Sequence, residues 1–457
     1  MSEIQKTMGV TIVAALLALL AILTAPVRVM PDTFLDQGEP FFPEFTDPNT
    51  ATTLEVVEYE EETGTTRPFK VTFQNGQWTI PSHHNYPADG QDRLAQTAAG
   101  LIGIKKDDYR SNNVADHEAL GVIDPLDETA TTFRGRGKRI TVRGASQQIL
   151  GDLIIGNSAE GRSNLRFVRL PDQKRVYASL VNVDISTKFE DWIEQDLLQV
   201  ETRTIQNVTL RDYSIDERTR SINQRDVLTL SRSEETWEAN RMSSDQEVDS
   251  TKIDELLEGI DELSIVGVRP KPEGLSKTLA RAEGANMSQA AALSLQSRGY
   301  YFTRDGNLVS NEGEMEVQTS EGVVYLLRFG EVLYGSGQAI TAGKNGDSDD
   351  NGNTTGENRY LFITASFEPE LLPEPSESKN TEFLDKSEEE WTDSDRNNNQ
   401  LHTAHEQWQE KVATGQKRAE ELDRHFAAWY YVISSESFAK IQLRRNDLVK
   451  DKESKKL

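Results

Sequence analysis

The residues best placed to hold a cation lie in one run, DSDDNG at 347–352. Asp347, Asp349 and Asn351 stand at alternate positions and Gly352 follows, which is the first half of a calcium loop. The bidentate acid that closes such a loop falls on Asn358, with Glu357 one place off, and the flanks read as strands instead of helices. We therefore expect a solvated loop between strands at 326–329 and 360–363, with Asp347, Asp349 and Asn351 as weak metal candidates. His83-His84 follows Pro81-Ser82, with Asp89 and Asp92 nearby. Imidazole and carboxylate do bind metals, but adjacent side chains of an extended segment point to opposite faces. A polar loop before a helix is the expectation there, and the counterpart at 241–244 has no histidine.

RGRGKR at 134–139 is a local basic cluster just before a strand. It lacks the Lys-Ser or Lys-Thr ending of a phosphate loop. It also lacks the wide basic face and stacking aromatics of a nucleic-acid surface. A net charge of −26 repels phosphates and anionic headgroups, so no nucleic acid is expected. The chain has no cysteine, which excludes disulfides, thiolate catalysis and thiolate metal sites. Ser-His-Asp and dinucleotide-binding patterns are missing. No catalytic residue and no cofactor is expected.

The elements that carry these residues begin after an apolar start. TMGVTIVAALLALLAILTAPV, residues 7–27, has no charged residue, and at 1.5 Å rise per residue it spans roughly the 30 Å hydrocarbon core. A cleavable signal peptide is the rival reading, but Pro26 follows the nearest small-x-small site. The expectation is a short segment at 1–6, a transmembrane anchor at 7–27 and a Pro/Asp/Thr-rich linker at 28–53. The weak charge bias puts the N-terminus in the cytoplasm and the body outside a bacterial inner membrane.

One unit is then used twice. Strand-like runs at 54–59 and 69–73 lead through NGQW to Trp78 and to a helical stripe, Leu94, Ala98, Leu101 and Ile104. Sliding by 159 positions puts Trp78 on Trp237 and the stripe on Ile253, Leu257, Ile260 and Leu263 without a gap. ITVRGASQQILGDLIIG at 140–156 matches MEVQTSEGVVYLLRFG at 315–330, and NLRFVRL at 164–170 matches NRYLFIT at 358–364. The closing strand RVYA at 175–178 has its partner only at 429–433, after an acidic stretch. The repeats are thus 54–200 and 201–367 plus 429–448, with an insertion at 368–428 and a basic tail at 449–457. Strands 430–433 and 360–363 are expected side by side.

Inside the insertion, Leu401, His405, Trp408, Val412, Gly415, Ala419, Leu422 and Phe426 recur at alternating spacings of four and three. His405 and Gly415 weaken this heptad-like stripe. Periodicity does not say whether it packs on its own domain or faces a partner. Leu401, Trp408, Val412, Leu422 and Phe426 are the partner-interaction candidates.

The fold class expected is α+β: an N-terminal transmembrane helix, then two tandem repeats of an antiparallel sheet with packed helices, the second interrupted by a helical acidic insertion. FQNGQWTIP, the stretch Ala119-Leu120-Gly121-Val122 with Pro125, DLIIGN and the closing VYAS resemble the bacterial domain-of-unknown-function family 4340. The resemblance implies an envelope location and an association with ABC-type transporters and gliding-motility-type auxiliary proteins. It supplies no catalytic residues. The expected function is a non-enzymatic, membrane-anchored docking or accessory module of a membrane transport complex. The alternatives are a substrate-binding component with a ligand cleft between the repeats and, third, an envelope hydrolase.

Overall fold

The computed structural model describes residues 36–452 apart from 62–63, 160, 184, 217–218, 220, 235, 274, 276–286, 304, 336–339 and 343–356, together with 14, 15, 17 and 18. The chain opens with β1 (Ala51–Glu60), β2 (Thr65–Gln74), β3 (Gln77–Ile80), β4 (Tyr86–Pro87) and α1 (Gln91–Ile102). β5 (Asp108–Ser111) and α2 (His117–Leu120) come next, followed by β6 (Lys138–Gly144), β7 (Ile149–Ala159), β8 (Arg162–Arg169) and β9 (Val176–Leu180). The second half begins with β10 (Ile205–Asp216), β11 (Ser221–Ser233), β12 (Thr236–Ala239), β13 (Gln246–Val248), α3 (Ser250–Asp261) and β14 (Gly267–Pro270). α4 (Gln289–Gln296), β15 (Tyr300–Phe302), β16 (Leu308–Ser310), β17 (Glu314–Thr319), β18 (Val323–Leu333) and β19 (Asn358–Phe367) follow. The chain ends with α5 (Asp393–Ala427), β20 (Trp429–Ile433), α6 (Ser435–Ile441), α7 (Arg445–Leu448) and β21 (Val449–Asp451).

Two large sheets result. In hydrogen-bonded order the first runs β4-β3-β2-β1-β6-β7-β8-β9-β5 and the second β12-β11-β10-β17-β18-β19-β20-β14. With the two-residue β4 set aside, the second order repeats the first strand for strand. The registers agree as well. Thr72 pairs with Thr79 and Phe73 with Trp78; 159 positions on, Ser231 pairs with Glu238 and Arg232 with Trp237. Asp108 and Tyr109 pair with Ala178 and Tyr177, while Gly267 and Val268 pair with Val432 and Tyr431. β19 and β20 are antiparallel, with Arg359, Tyr360 and Leu361 opposite Ile433, Val432 and Tyr431.

A shared close approach explains two glycines. A Cβ on Gly156 would sit 2.5 Å from the Leu120 carbonyl oxygen, and one on Gly330 would run into the Arg298 carbonyl. Both carbonyls precede a glycine with positive φ, Gly121 and Gly299. An arginine of the next strand answers each site: Arg166 Nε donates to the Gly156 carbonyl at 2.8 Å and Arg359 Nη1 to that of Gly330 at 3.1 Å. Only glycine lets a strand pass this near another backbone.

The expected fold class needs correcting in two respects. The described fold is mostly antiparallel sheet with seven helices, so strands outweigh the α+β balance read from the helical stripes. Strand length was hidden because polar residues line exposed ends: β11 is 13 residues long, and its first five are exposed. The anchor expected at 7–27 lies outside the described residues except for 14, 15, 17 and 18. Among the described residues no helix is long and apolar enough to cross a membrane.

The chain forms two compact units, 1–68 with 94–185 and 69–93 with 186–457. In the first, Leu54, Val56, Ile140, Val142 and Leu153 from the sheet and Leu94, Ala98 and Leu101 from α1 are buried. In the second, the His83 ring stacks on Phe189 (centroids 4.6 Å apart), Phe69 packs on Trp192, and Tyr86 meets Trp429 edge-on at 5.0 Å.

α5 is a 35-residue helix started by a capping box, Thr392 with Asp395. Leu422 and Phe426 of the stripe are buried along with Ala419 and Gly415. Gly415 is needed because a Cβ there would strike the Glu321 carbonyl and the Phe367 ring. Leu401, Trp408 and Val412 are half-buried. Near the start of the helix, Phe383 is fully buried and packs edge-on against Trp391 (6.0 Å) and His402 (5.7 Å). The stripe thus packs against its own unit.

Candidate functional site

The second unit carries a groove of about 590 Å³ beside Trp237. Its floor is Leu257, one of the buried residues of α3. That helix is fixed by Asp249, whose carboxylate accepts from the Thr251 and Lys252 amides at 3.1 and 3.4 Å. With Ile253, Leu256, Leu257 and Ile260 turned inward, the exposed Asp254 and Glu258 line the groove one helical turn apart. The other wall comes from the β11–β12 hairpin, which contributes Arg232, Thr236 and Trp237. Thr202, Arg203, Val248 and Ser250 complete the lining.

Charge is divided across this groove. Arg203 pairs with Glu201, and Arg232 donates to the Arg203 carbonyl at 3.1 Å. Arg232 meets no carboxylate among the described residues. The helix wall carries Asp254 and Glu258 instead. Indole, guanidinium, carboxylates and hydroxyls together can stack, pair and hydrogen-bond with a polar ligand that bears both charges. The equivalent hairpin of the first copy differs at the deciding position: the residue opposite Trp78 is the exposed Phe73, whose ring lies 5.3 Å from the indole.

The other sequence candidates take these places. Asp347, Asp349 and Asn351 lie outside the described residues. His83 is buried; its Nδ1 shares a hydrogen bond with Ser82 (2.9 Å) and its Nε2 with Thr341 (2.9 Å). His84 Nε2 donates to the Ala342 carbonyl at 2.7 Å. The two rings therefore hold residues 341–342 and converge on no common point with Asp89 or Asp92. In RGRGKR, Arg136 donates to the carbonyls of Asp124, Pro125, Asp127, Ala130 and Thr132 and lies over the Tyr59 ring. Arg139 grips Asp152 with two nitrogens and Asp124 with a third contact, which holds its proton more firmly still. Lys138 pairs with Glu58. These three cations are engaged within their own unit.

Lys271, unnoticed in the sequence, is a strongly perturbed cation. Its Nζ donates to the Phe426 carbonyl at 3.0 Å and lies 3.7 Å from the centre of the Phe362 ring. The side chain is half-buried, but the ammonium end sits deep among protein atoms, and desolvation pulls its pKa down to about 7. Nearby Asp423 is pushed up by burial. Arg232, Asp254 and Glu258 were missed as well, because an acidic helix face normally signals nothing but solvent.

No curated protein and no solved structure matches this chain. A family model does, the one described as Domain of unknown function (DUF4340), over residues 78–278. The match opens at Trp78 in β3, passes through the rest of the first sheet, and continues in the second half through Trp237, α3 and β14. Over that stretch, the chain is similar to the family described as Domain of unknown function (DUF4340).

Proposed function

We propose that this chain is a non-enzymatic docking module of the bacterial envelope, accessory to a membrane transport complex of ABC type, and that the groove beside Trp237 seats a short extended segment of its partner. The observation that carries the reading is the divided charge of the groove, with Arg232 on the hairpin wall and Asp254 and Glu258 on the helix wall. Such a groove favours a segment with an acidic side chain toward Arg232 and a basic one toward α3. An indole in the wall supplies the large, rigid contact that anchors binding sites. The transport setting rests on the family resemblance.

The test is co-purification of transporter subunits in mild detergent with the full chain and with its Trp237→Ala/Arg232→Glu variant. Loss of the subunits, with an unchanged melting temperature, supports the proposal. Undiminished recovery in the variant sinks it. A second reading is that a small ligand with both charges occupies the groove and the chain is a substrate-binding component. The volume favours this too, since about 590 Å³ lies in the usual range for ligand pockets, roughly 300–1,000 Å³. Under that reading, amino acids or short peptides raise the melting temperature of the parent and not that of the variant.

A further inference from the structure

The insertion before α5 lies along that helix and is fastened to it at two points. The Trp408 indole donates to the Leu372 carbonyl at 2.9 Å, and the Lys379 amide donates to Asn398 Oδ1 at 3.0 Å. Asn398, His405 and Trp408 are seven and then three positions apart, which puts them on one face of the helix. The segment between the two fastenings contains Glu374 and Glu377. One carboxylate oxygen from each and one imidazole nitrogen of His405 all lie within 4.8 Å of one another.

Two further observations mark this cluster off from an ordinary acidic surface. The Nδ1 atom of His405 is buried and has no hydrogen-bond partner. Its Nε2 lies 3.0 Å from the Gln409 side-chain amide; with that amide turned so that Nε2–H donates to its oxygen, Nδ1 keeps an unused lone pair with which to bind a metal. A buried ring nitrogen without a partner costs free energy that a ligand would recover. Glu374 and Glu377, in turn, meet no Lys, Arg or His⁺ in an ion pair among the described residues. Two like charges this close ask for a cation.

We propose that Glu374, Glu377 and His405 form a binding site for a divalent transition-metal ion, with Zn²⁺ the best chemical fit. One imidazole and two carboxylates are a borderline donor set, which suits Zn²⁺ better than Ca²⁺ or Mg²⁺, whose sites are all-oxygen. From within 4.8 Å of one another, the ligand atoms would draw together to reach bonds of roughly 2.0–2.2 Å to zinc. Three protein ligands leave a fourth position for water or for a group from a partner. The ion would fasten the extended segment to α5 between its two existing hydrogen bonds. His405, a flaw in the apolar stripe, becomes a ligand in this account.

The experiment is calorimetric titration of the full chain, first stripped with a chelator, with ZnCl₂ alone, alongside His405→Ala and Glu374→Gln/Glu377→Gln. Glu389→Gln, outside the cluster, is the control. The expected result is one site per chain, weakened in both cluster variants by at least ~10-fold and unchanged in the control. Zn²⁺ should also raise the melting temperature of the parent and leave that of His405→Ala where it was. Four results would overturn the proposal: no binding, several weak sites, Ca²⁺ binding as tight as Zn²⁺ binding, or full affinity in a folded His405→Ala chain.

Discussion

Lys271→Met should change the pH dependence of the second unit's stability. Burial of the ammonium beside Phe362 and Phe426 lowers its pKa in the folded chain from an ordinary 10.5 to about 7. The unfolded chain then binds more protons than the folded one between those values, so stability rises with pH across that window. The cost is full below the folded pKa and gone above the unfolded one. At about 1.4 kcal/mol per pH unit, the parent should gain roughly 3 kcal/mol between pH 7 and pH 9.5 that the methionine variant does not. Shared groups whose titration Lys271 does not shift, such as Tyr430, largely cancel in that difference. At neutral pH the variant loses the hydrogen bond to the Phe426 carbonyl and the contact with the Phe362 ring, worth about 1–3 kcal/mol together, but it escapes the larger desolvation cost. It should therefore be the more stable protein at pH 7 and lose that lead as the pH rises. Urea unfolding followed by tryptophan fluorescence at pH 7, 8 and 9.5 measures both. Parallel pH profiles for parent and variant would refute the reasoning, because they would mean that Lys271 carries its ordinary charge in the fold.

Gly330→Ala should lower stability by about 1–3 kcal/mol through the clash with the Arg298 carbonyl, whereas Gly103→Ala, whose Cβ would find only ordinary contacts at 3.6 and 3.8 Å, should be near neutral; thermal melts decide. Truncation before Trp429 removes β20 and leaves β14 and β19 unpaired on that side, so the second unit should not fold, as read by the loss of cooperative unfolding. Deleting 368–428 should also destabilise it, since Ala419, Leu422 and Phe426 leave the core; a melting temperature equal to the parent's would contradict the packing of α5. Asp395 accepts from the Thr392 hydroxyl and amide and from Lys386, which holds its pKa down at about 2. Its contribution is present above the unfolded value near 4 and is lost as pH falls through about 2, so Asp395→Asn should abolish that part of the acid sensitivity in far-ultraviolet melts.

What the sequence made legible was periodic. Leu94, Ala98, Leu101 and Ile104 and their counterparts Ile253, Leu257, Ile260 and Leu263 are all buried, because a stripe at helical spacing has to face a core. Trp429–Ile433 stood out as a strand because all five of its residues are aromatic or β-branched with no polar break. The edge strands β5 and β14 escaped notice. DYRS and GVRP are too short to show alternation, and their pairing is set by partners far along the chain. The groove was hidden for a related reason. Arg232, Trp237, Asp254 and Glu258 come from a hairpin and a helix, and each alone is an ordinary surface residue. His405 and Gly415 read as faults in a stripe until the neighbours that require them, the Glu374–Glu377 segment and the Glu321 carbonyl, were in place.

The docking account is tested most directly by a photoreactive amino acid at Thr236, on the groove wall, with crosslinking in intact cells and the same residue at exposed Leu126 as the reference position. The account predicts a crosslink from position 236 to a subunit of a membrane transport complex, absent from position 126 and abolished by Arg232→Glu. Crosslinks that are the same from both positions, or that persist after Arg232→Glu, would contradict it.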